Sequence, residues 1–343
     1  MKEKRCGECP HPFDPIFSLY IYFINSDLPF GHSFRLYFPR LFMGLPGKSP
    51  KWGLDRFSGT TCPGKAPSST ALRSSSNSNQ PSTIYNASVP FHFESKPALV
   101  AYVTCGDPDL ATTRDVILAA IEAGASIIEL GVPFSDPLAD GPVIQRASER
   151  ALKHGTSLQQ VLTLASEIRE HSQSVGLVIF SYLNPILRMG LAKFCQVARL
   201  AGIDGTLITD LPVEESAAYL REARKNELAT IFLAAPTSTD QRLQLIAQAS
   251  GGFIYAISRT GVTGARKQMT GDAKALVKHI RRFTKLPVAV GFGISTPEQF
   301  QAIGKFAEGA VVGSAIVHAI EQNPGREAAT VGEFVRSLVA RSS

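Results

Sequence analysis

The chain has 343 residues, of which 44% are hydrophobic, and a formal net charge of +6 at pH 7. This length and composition allow one large domain or two small ones, with enough apolar surface for a core. The positive excess lies in residues 1–90, which carry ten Lys and Arg against five Asp and Glu, whereas residues 91–343 carry twenty-five against twenty-four. Because a nucleic-acid-binding surface needs clustered Lys and Arg, the nearly neutral remainder argues against one.

The cysteines give no sign of a disulfide framework. There are five in the chain, at positions 6, 9, 62, 105 and 195, which is few and scattered for this length. Cys6 and Cys9 form a lone C-x-x-C with no second pair, so no metal site is expected there. The simpler inference is a reducing compartment, and we expect a cytoplasmic protein.

No folded domain is predicted in residues 1–95, because residues 1–50 show no sustained period of either two or 3.6. The apolar run from Ile16 to Ile24 is about half the length needed to cross a bilayer. Residues 55–90 are rich in Ser, Thr, Asn and Pro, a composition that buries too little apolar surface to order itself. We therefore expect a disordered N-terminal extension ahead of a folded domain at 96–343.

Two interpretations of this extension stay open. Ser-rich, acid-poor sequence is typical of an organellar transit peptide, which would place the protein in the plastid stroma. The other interpretation is a start codon assigned too far upstream. The first fifteen residues are neither Ser-rich nor amphipathic, and this favours the second interpretation.

From Pro97 onward, short apolar segments alternate with segments of helical period. Continuous apolar strands that alternate with helices predict a parallel sheet, and eight such units predict a (β/α)8 TIM barrel whose active site lies at the carboxyl ends of the strands. An open doubly wound sheet would show a Gly-rich fingerprint after the first strand, and none is present. Extra helices are predicted at 143–153 and 326–340. The eight strands are predicted at 98–104, 126–130, 176–182, 205–209, 229–235, 252–258, 287–291 and 309–313.

The apolar run Ser126-Ile127-Ile128 of the second strand ends in an acid, and a Pro- and Gly-rich loop follows. Residues 129–145 read ELGVPFSDPLADGPVIQ and include Glu129 and Asp140. A charged group at the end of an Ile-rich strand costs several kcal/mol unless it is paired or used. Glu129 is therefore either a structural acid that holds the loop or a functional one, and composition alone leaves both open.

This stretch resembles the signature of the tryptophan synthase alpha chain family. The resemblance implies a lyase that cleaves indole-3-glycerol phosphate to indole and glyceraldehyde 3-phosphate, a retro-aldol reaction with no metal and no cofactor on this chain. It implies that Glu129 is the general acid and base. It implies that Asp140 binds the indole N–H and stabilises the positive charge that develops on the ring.

Glycines follow the last two predicted strands. Strand 7 runs into Gly291-Phe292-Gly293 and strand 8 into Gly313-Ser314. Glycines there let backbone N–H groups approach an anion at the start of the next helix, where many such barrels bind phosphate. The resemblance assigns phosphate contacts to Gly264, Phe292, Gly293, Gly313 and Ser314.

The resemblance also implies an indole pocket and a mobile lid. The lid is the loop 258–265, with Thr263 beside Asp210. As an alternative, the pocket residues are ordinary barrel-core side chains. The pocket residues are Tyr102, Ile144, Tyr182, Leu207, Thr209 and Tyr255.

Metal and triad chemistry are not expected. None of the seven histidines lies at a predicted strand end, so neither a zinc site nor a Ser-His-Asp triad is predicted. An indole-glycerol-phosphate synthase type of barrel would need a strand-end Lys, which is not found.

The family implies a partner, a PLP-dependent tryptophan synthase beta chain in an α2β2 complex, with the PFSDPLADGP loop at the contact. No nucleic acid or membrane partner is expected. Two alternatives stay open: a stand-alone lyase that releases indole, and a non-catalytic barrel that only activates a partner. Family members usually begin with a short helix that covers the bottom of the barrel. Residues 86–94 alternate more like a strand, so that cover is in doubt.

Removal of residues 1–90 should leave folding and lyase activity intact, because this segment shows no core-forming period. Thermal melts and indole release from the truncated and full-length chains test this. A large fall in melting temperature would show that the extension packs on the barrel.

Overall fold

The computed structural model describes residues 91–93, 95–257, 266–291 and 293–340. Its centre is a closed barrel of eight parallel strands in sequence order, so the predicted TIM barrel is confirmed. The strands are β1 Ala98–Thr104, β2 Ile127–Gly131, β3 Gly176–Ser181, β4 Gly205–Ile208, β5 Ala229–Ala234, β6 Ile254–Ile257, β7 Val288–Gly291 and β8 Gly309–Val312.

Helices surround the barrel, and both predicted extra helices are present, as α2 and α11. A short 3-10 helix at Val213–Glu215 follows β4. No helix of the described residues is long and apolar enough to cross a membrane. The helices of the described residues are α1 Leu110–Glu122, α2 Pro142–Lys153, α3 Leu158–His171, α4 Leu183–Met189, α5 Leu191–Leu200, α6 Ala217–Lys225, α7 Asp240–Ala249, α8 Arg266–Ile280, α9 Pro297–Gly304, α10 Ser314–Gln322 and α11 Glu327–Val339.

Strand alternation divides the apolar residues into two cores. Ile128 and Leu130 of β2 belong to the layer between strands and helices, whereas Ile127 belongs to a cluster inside the barrel. Successive side chains on a strand point to opposite faces. Glu129 therefore points inward, above Ile127, and its register partners are Tyr102 and Val178.

Helix starts follow the capping residues in the sequence. Thr296 accepts a hydrogen bond from the Gln299 N–H and precedes Pro297 at the first helical position, where the missing N–H of proline costs nothing. At α1 the cap is Asp109, whose carboxylate accepts from the Thr112 N–H at 2.7 Å. The Asp107-Pro108-Asp109 segment therefore ends at the cap, with Pro108 ahead of the helix and not within it.

Two phenylalanines ahead of β1 close the amino-terminal end of the barrel. Phe91 is buried in the interior cluster and Phe93 packs against it, each edge-on to Phe253 with ring centroids 5.4 and 5.8 Å apart. Gly176 and Gly205 begin neighbouring strands, and a Cβ on either would lie within 2.8 Å of the Phe91 ring. Phe91 and Phe93 thus provide the bottom cover that was in doubt. The predicted boundary between 95 and 96 stays a prediction.

Replacement of Phe91 by Ala should lower the free energy of unfolding by about 3–5 kcal/mol, the usual effect of removing a buried aromatic ring. Chemical denaturation measures the loss. Phe283→Ala is the control, because Phe283 lies outside the strands and is only half-buried. Equal, small decreases in the free energy of unfolding of the two variants would contradict the closure of the barrel's amino-terminal end by Phe91.

Candidate active site

Glu129 is a buried carboxyl group with no hydrogen-bond partner among the described residues. It lies in the middle of β2, is 0% exposed, and neither of its oxygens is bonded. Burial disfavours the ionised form, and it raises the pKa of Glu129 to about 8. At neutral pH the group therefore holds its proton and can act as an acid.

Two phenol rings lie beside this carboxyl, on β1 and β6. Glycines on the neighbouring strands make room for them: a Cβ at Gly131 would collide with the Tyr102 hydroxyl, and one at Gly291 would lie 2.6 Å from the Tyr255 hydroxyl. Burial raises the pKa of both phenols well above the ordinary value, and the charge of Glu129 contributes to the shift of Tyr255. Both rings are therefore neutral walls of the site.

Asp140 lies half-buried in the loop between β2 and α2. The Tyr182 hydroxyl donates a hydrogen bond to its carboxylate at 3.1 Å and accepts one from the Ala139 N–H at 2.9 Å. The Phe134 ring stacks on Tyr182, with centroids 5.0 Å apart. Burial raises the pKa of Asp140 to about 6, and the bond from Tyr182 opposes this. At neutral pH Asp140 is mostly ionised, unlike Glu129.

The remaining predicted pocket residues lie in two apolar clusters and at a strand end. Ile144, on α2, packs against the cluster that contains Tyr102. Leu207 is fully buried in the interior cluster that also contains Phe91. The Thr209 hydroxyl donates to the Ser181 carbonyl at 3.3 Å, at the ends of β4 and β3. Ile144 and Leu207 thus belong to different clusters, and their place in an indole pocket stays a prediction.

Phe180 is a site residue that the sequence interpretation missed. Its ring lies edge-on to Tyr102, with centroids 5.1 Å apart. It pairs in register with Gly131 and Leu207, so it faces the interior. The available signal was strand alternation, because residues of β3 two positions apart share one face.

Three of the predicted phosphate-binding residues, Gly293, Gly313 and Ser314, lie just after β7 and β8. Gly293 is exposed and has a φ of 35°, in the left-handed region that favours glycine. Gly313 precedes α10, and Ser314 is the first residue of that helix. Gly264 and Phe292 lie outside the described residues.

Asp210, predicted to lie beside the lid, contacts a neighbouring helix. Its carboxylate accepts a hydrogen bond of 2.7 Å from the N–H of Leu183, the first residue of α4. Thr263, its predicted lid partner, lies outside the described residues. The described part of the chain holds no cluster of three or more His, Cys, Asp or Glu placed to bind a metal ion.

Comparison with known proteins bears on this arrangement. The family model for tryptophan synthase alpha chains matches residues 91–340. The chain belongs to the tryptophan synthase alpha chain family. It is therefore a lyase of tryptophan biosynthesis that cleaves indole-3-glycerol phosphate to indole and glyceraldehyde 3-phosphate.

Relatives and solved structures agree with the family. The tryptophan synthase alpha chain of Solibacter usitatus is 53% identical over 230 residues, 67% of this chain and 86% of that one. That of Neisseria gonorrhoeae is 47% identical over 241 residues, 70% and 92% of the two chains. A structure concerning the α2β2 complex of Pyrococcus furiosus has a TM-score of 0.67 at 40% identity, covering 71% of this chain and 97% of that one.

Stability should fall as the pH rises, because of Glu129. Its pKa is about 8 in the folded chain against 4.5 for the free group, so folding takes up a proton between these values. Its contribution is fully present below about pH 4.5 and lost by about pH 8, a change of roughly 5 kcal/mol at 1.36 kcal/mol per pKa unit. Glu129→Gln should remove this dependence.

Denaturant unfolding from pH 5 to pH 8 measures the effect, and the variant should gain stability relative to the parent as the pH increases. Glu122→Gln, on α1 at the barrel's outside, is the control. Parallel curves for the parent and Glu129→Gln would contradict a raised pKa in the folded chain.

Proposed function

We propose that Glu129 is the general acid and base of the carbon–carbon cleavage and that Asp140 balances the charge that develops on the indole ring. The observation that carries this proposal is the difference in protonation between the two groups, since Glu129 is protonated at neutral pH and Asp140 is mostly ionised. Carboxyl groups whose environments separate their pKa values take different roles in catalysis.

Glu129 alone gives and accepts the protons that the reaction transfers. Its carboxyl gives a proton to C3 of the indole ring, and the positive charge that results on the ring nitrogen lies next to the Asp140 carboxylate. The Glu129 carboxylate then accepts the proton of the hydroxyl on the carbon attached to C3. The bond between C3 and that carbon breaks, and its electron pair restores the aromatic ring. The hydroxyl oxygen becomes the aldehyde oxygen of glyceraldehyde 3-phosphate.

The other predicted contacts are part of the same proposal. The substrate phosphate is held by the loops after β7 and β8, through Gly293, Gly313 and Ser314 together with Gly264 and Phe292. The start of α10 supports this assignment, because the N–H groups of a helix N-terminus favour an anion. The indole ring lies in the pocket formed by Tyr102, Ile144, Tyr182, Leu207, Thr209 and Tyr255, to which the structure adds Phe180. Thr263 and Asp210 act at the lid.

A beta chain is the proposed partner in an α2β2 complex. A solved structure similar to this chain concerns an α2β2 complex, which supports this partner. Leu138, in the Asp140 loop where the contact is expected, is 73% exposed. PLP would be on the beta chain, with no cofactor on this one.

The scattered cysteines support a cytoplasmic location.

Glu129→Gln should lower kcat by about 10²–10⁴ while KM changes little, because a positioned general acid–base contributes about that factor. Asp140→Asn should lower kcat by a similar factor, because a neutral amide does not balance the ring charge. Since both groups act in one transition state, the double variant should lose much less than the product of the two single losses. Indole release at saturating substrate measures all three.

Asp136→Asn is the matched control. Asp136 lies in the same loop but is exposed, and the hydrogen bond of its carboxylate in the described structure comes from the Ser135 hydroxyl. Its kcat should stay within about twofold of the parent, as expected of an exposed substitution. Folded Glu129 and Asp140 variants that keep more than a tenth of the parent kcat would mean that the carboxyl groups are structural.

A further inference from the structure

Helix α2 carries the loop that contains Asp140, yet it buries few large side chains. Its buried residues are Ala147, Ser148 and Ala151. Because small side chains bury little apolar area, they fix the position of a helix weakly. Its N-cap, Gly141, makes no side-chain bond. Other contacts must therefore set where α2 lies.

Arg150 supplies such contacts from the last turn of α2. Its Nε and Nη2 atoms donate to the two carboxylate oxygens of Asp107 at 2.7 and 2.9 Å. Asp107 is 1% exposed, so removal of this partner would leave a buried carboxylate without its ion pair. A two-bond fork of this kind fixes direction as well as distance. Arg150 thereby sets the orientation of α2 relative to the loop after β1.

The third contact of Arg150 reaches α10. Its Nη1 atom donates to Glu321 at 2.7 Å, and Arg146, one turn earlier on α2, donates to the same carboxylate at 2.9 and 2.7 Å. The bonds from Arg146 lower the pKa of Glu321 to about 2, so this carboxylate stays ionised. Arg150 alone contacts both Asp107 and Glu321 among the described residues, and so links α2 to two other elements.

These fixed points lie on the rim that carries Glu129. Strands β1 and β2 pair directly, with Tyr102 opposite Glu129, and Asp107 follows the end of β1. Asp140 lies two residues before the start of α2. A shift of α2 relative to Asp107 would therefore move Asp140 relative to Glu129. Gly106, with a φ of 88°, adds to the fixation because a side chain there would collide with Thr156, just after α2.

We propose that Arg150 is a positioning residue for the lyase reaction, which holds Asp140 at the distance from Glu129 that the cleavage requires. This rests on the roles proposed above for the two carboxyl groups. A misplacement of about 1 Å at a reacting group can lower the rate about 100-fold. Arg150 contacts neither Gly293 nor Gly313 in the described structure, so its loss should affect kcat and leave KM nearly unchanged.

Arg150→Met and Arg150→Lys are the variants to measure. Met should lower kcat by about 10–100-fold, with KM within about threefold of the parent. Lys keeps a positive charge beside Asp107 but lacks the two-bond fork. Arg150→Lys should therefore lower kcat less than Arg150→Met does, and it should fold. Arg281→Met is the control, because Arg281 pairs with Glu308 near the start of β8, at the opposite end of the barrel. It should lower stability while kcat stays within about twofold.

The deciding measurement repeats Arg150→Met in the Asp140→Asn background. If Arg150 acts through Asp140, Arg150→Met should lower kcat by less than about threefold in the Asp140→Asn background, because the two losses are not independent. The same factor in both backgrounds would overturn the proposal and leave Arg150 a structural residue. If Arg150→Met does not fold, Arg150→Lys in the same two backgrounds decides. An Asp140→Asn variant with parent activity would instead overturn the proposed role of Asp140.

Discussion

The active site depends on one buried carboxyl group that lacks a hydrogen-bond partner in the described structure. An ionised carboxylate in such surroundings costs several kcal/mol, so Glu129 keeps its proton at a pH where most carboxyls lose theirs. Closure of the barrel creates those surroundings, because Ile127 and the interior cluster lie beneath it. The apolar interior is therefore part of the chemistry: it makes an acid out of a side chain that water would ionise.

The barrel could be predicted because its strands are continuous apolar segments, and their observed limits differ from the predicted ones by at most two residues. The largest difference is at β6, which begins at Ile254, two residues later than predicted. Gly252 and Phe253 precede it and pack around Phe91 at the barrel floor. The sequence does not distinguish apolar residues that close the end of a barrel from those that form a strand, because both are buried.

The two carboxyl groups could also be found in the sequence, because they belong to one short motif. Their surroundings could not. Tyr182 lies 42 residues from Asp140 along the chain, and only the closed barrel places its hydroxyl against the loop. Arg150 likewise belongs to a polar helix face, which by pattern alone is a solvated surface, and its bond to Asp107 depends on how α2 lies on the rim. Local pattern identifies reactive groups, whereas tertiary packing identifies what orients them.

The strand glycines beside the phenol rings have a consequence for how this pocket changes shape. Gly131 and Gly291 give Tyr102 and Tyr255 room to lie flat against the barrel wall. A single added methyl group at either position would push a ring toward the cavity, although neither glycine belongs to the proposed set of substrate contacts. The width of the cavity is thus adjustable from the backbone behind it. A substitution at either glycine would therefore narrow the cavity while every proposed contact residue stayed the same.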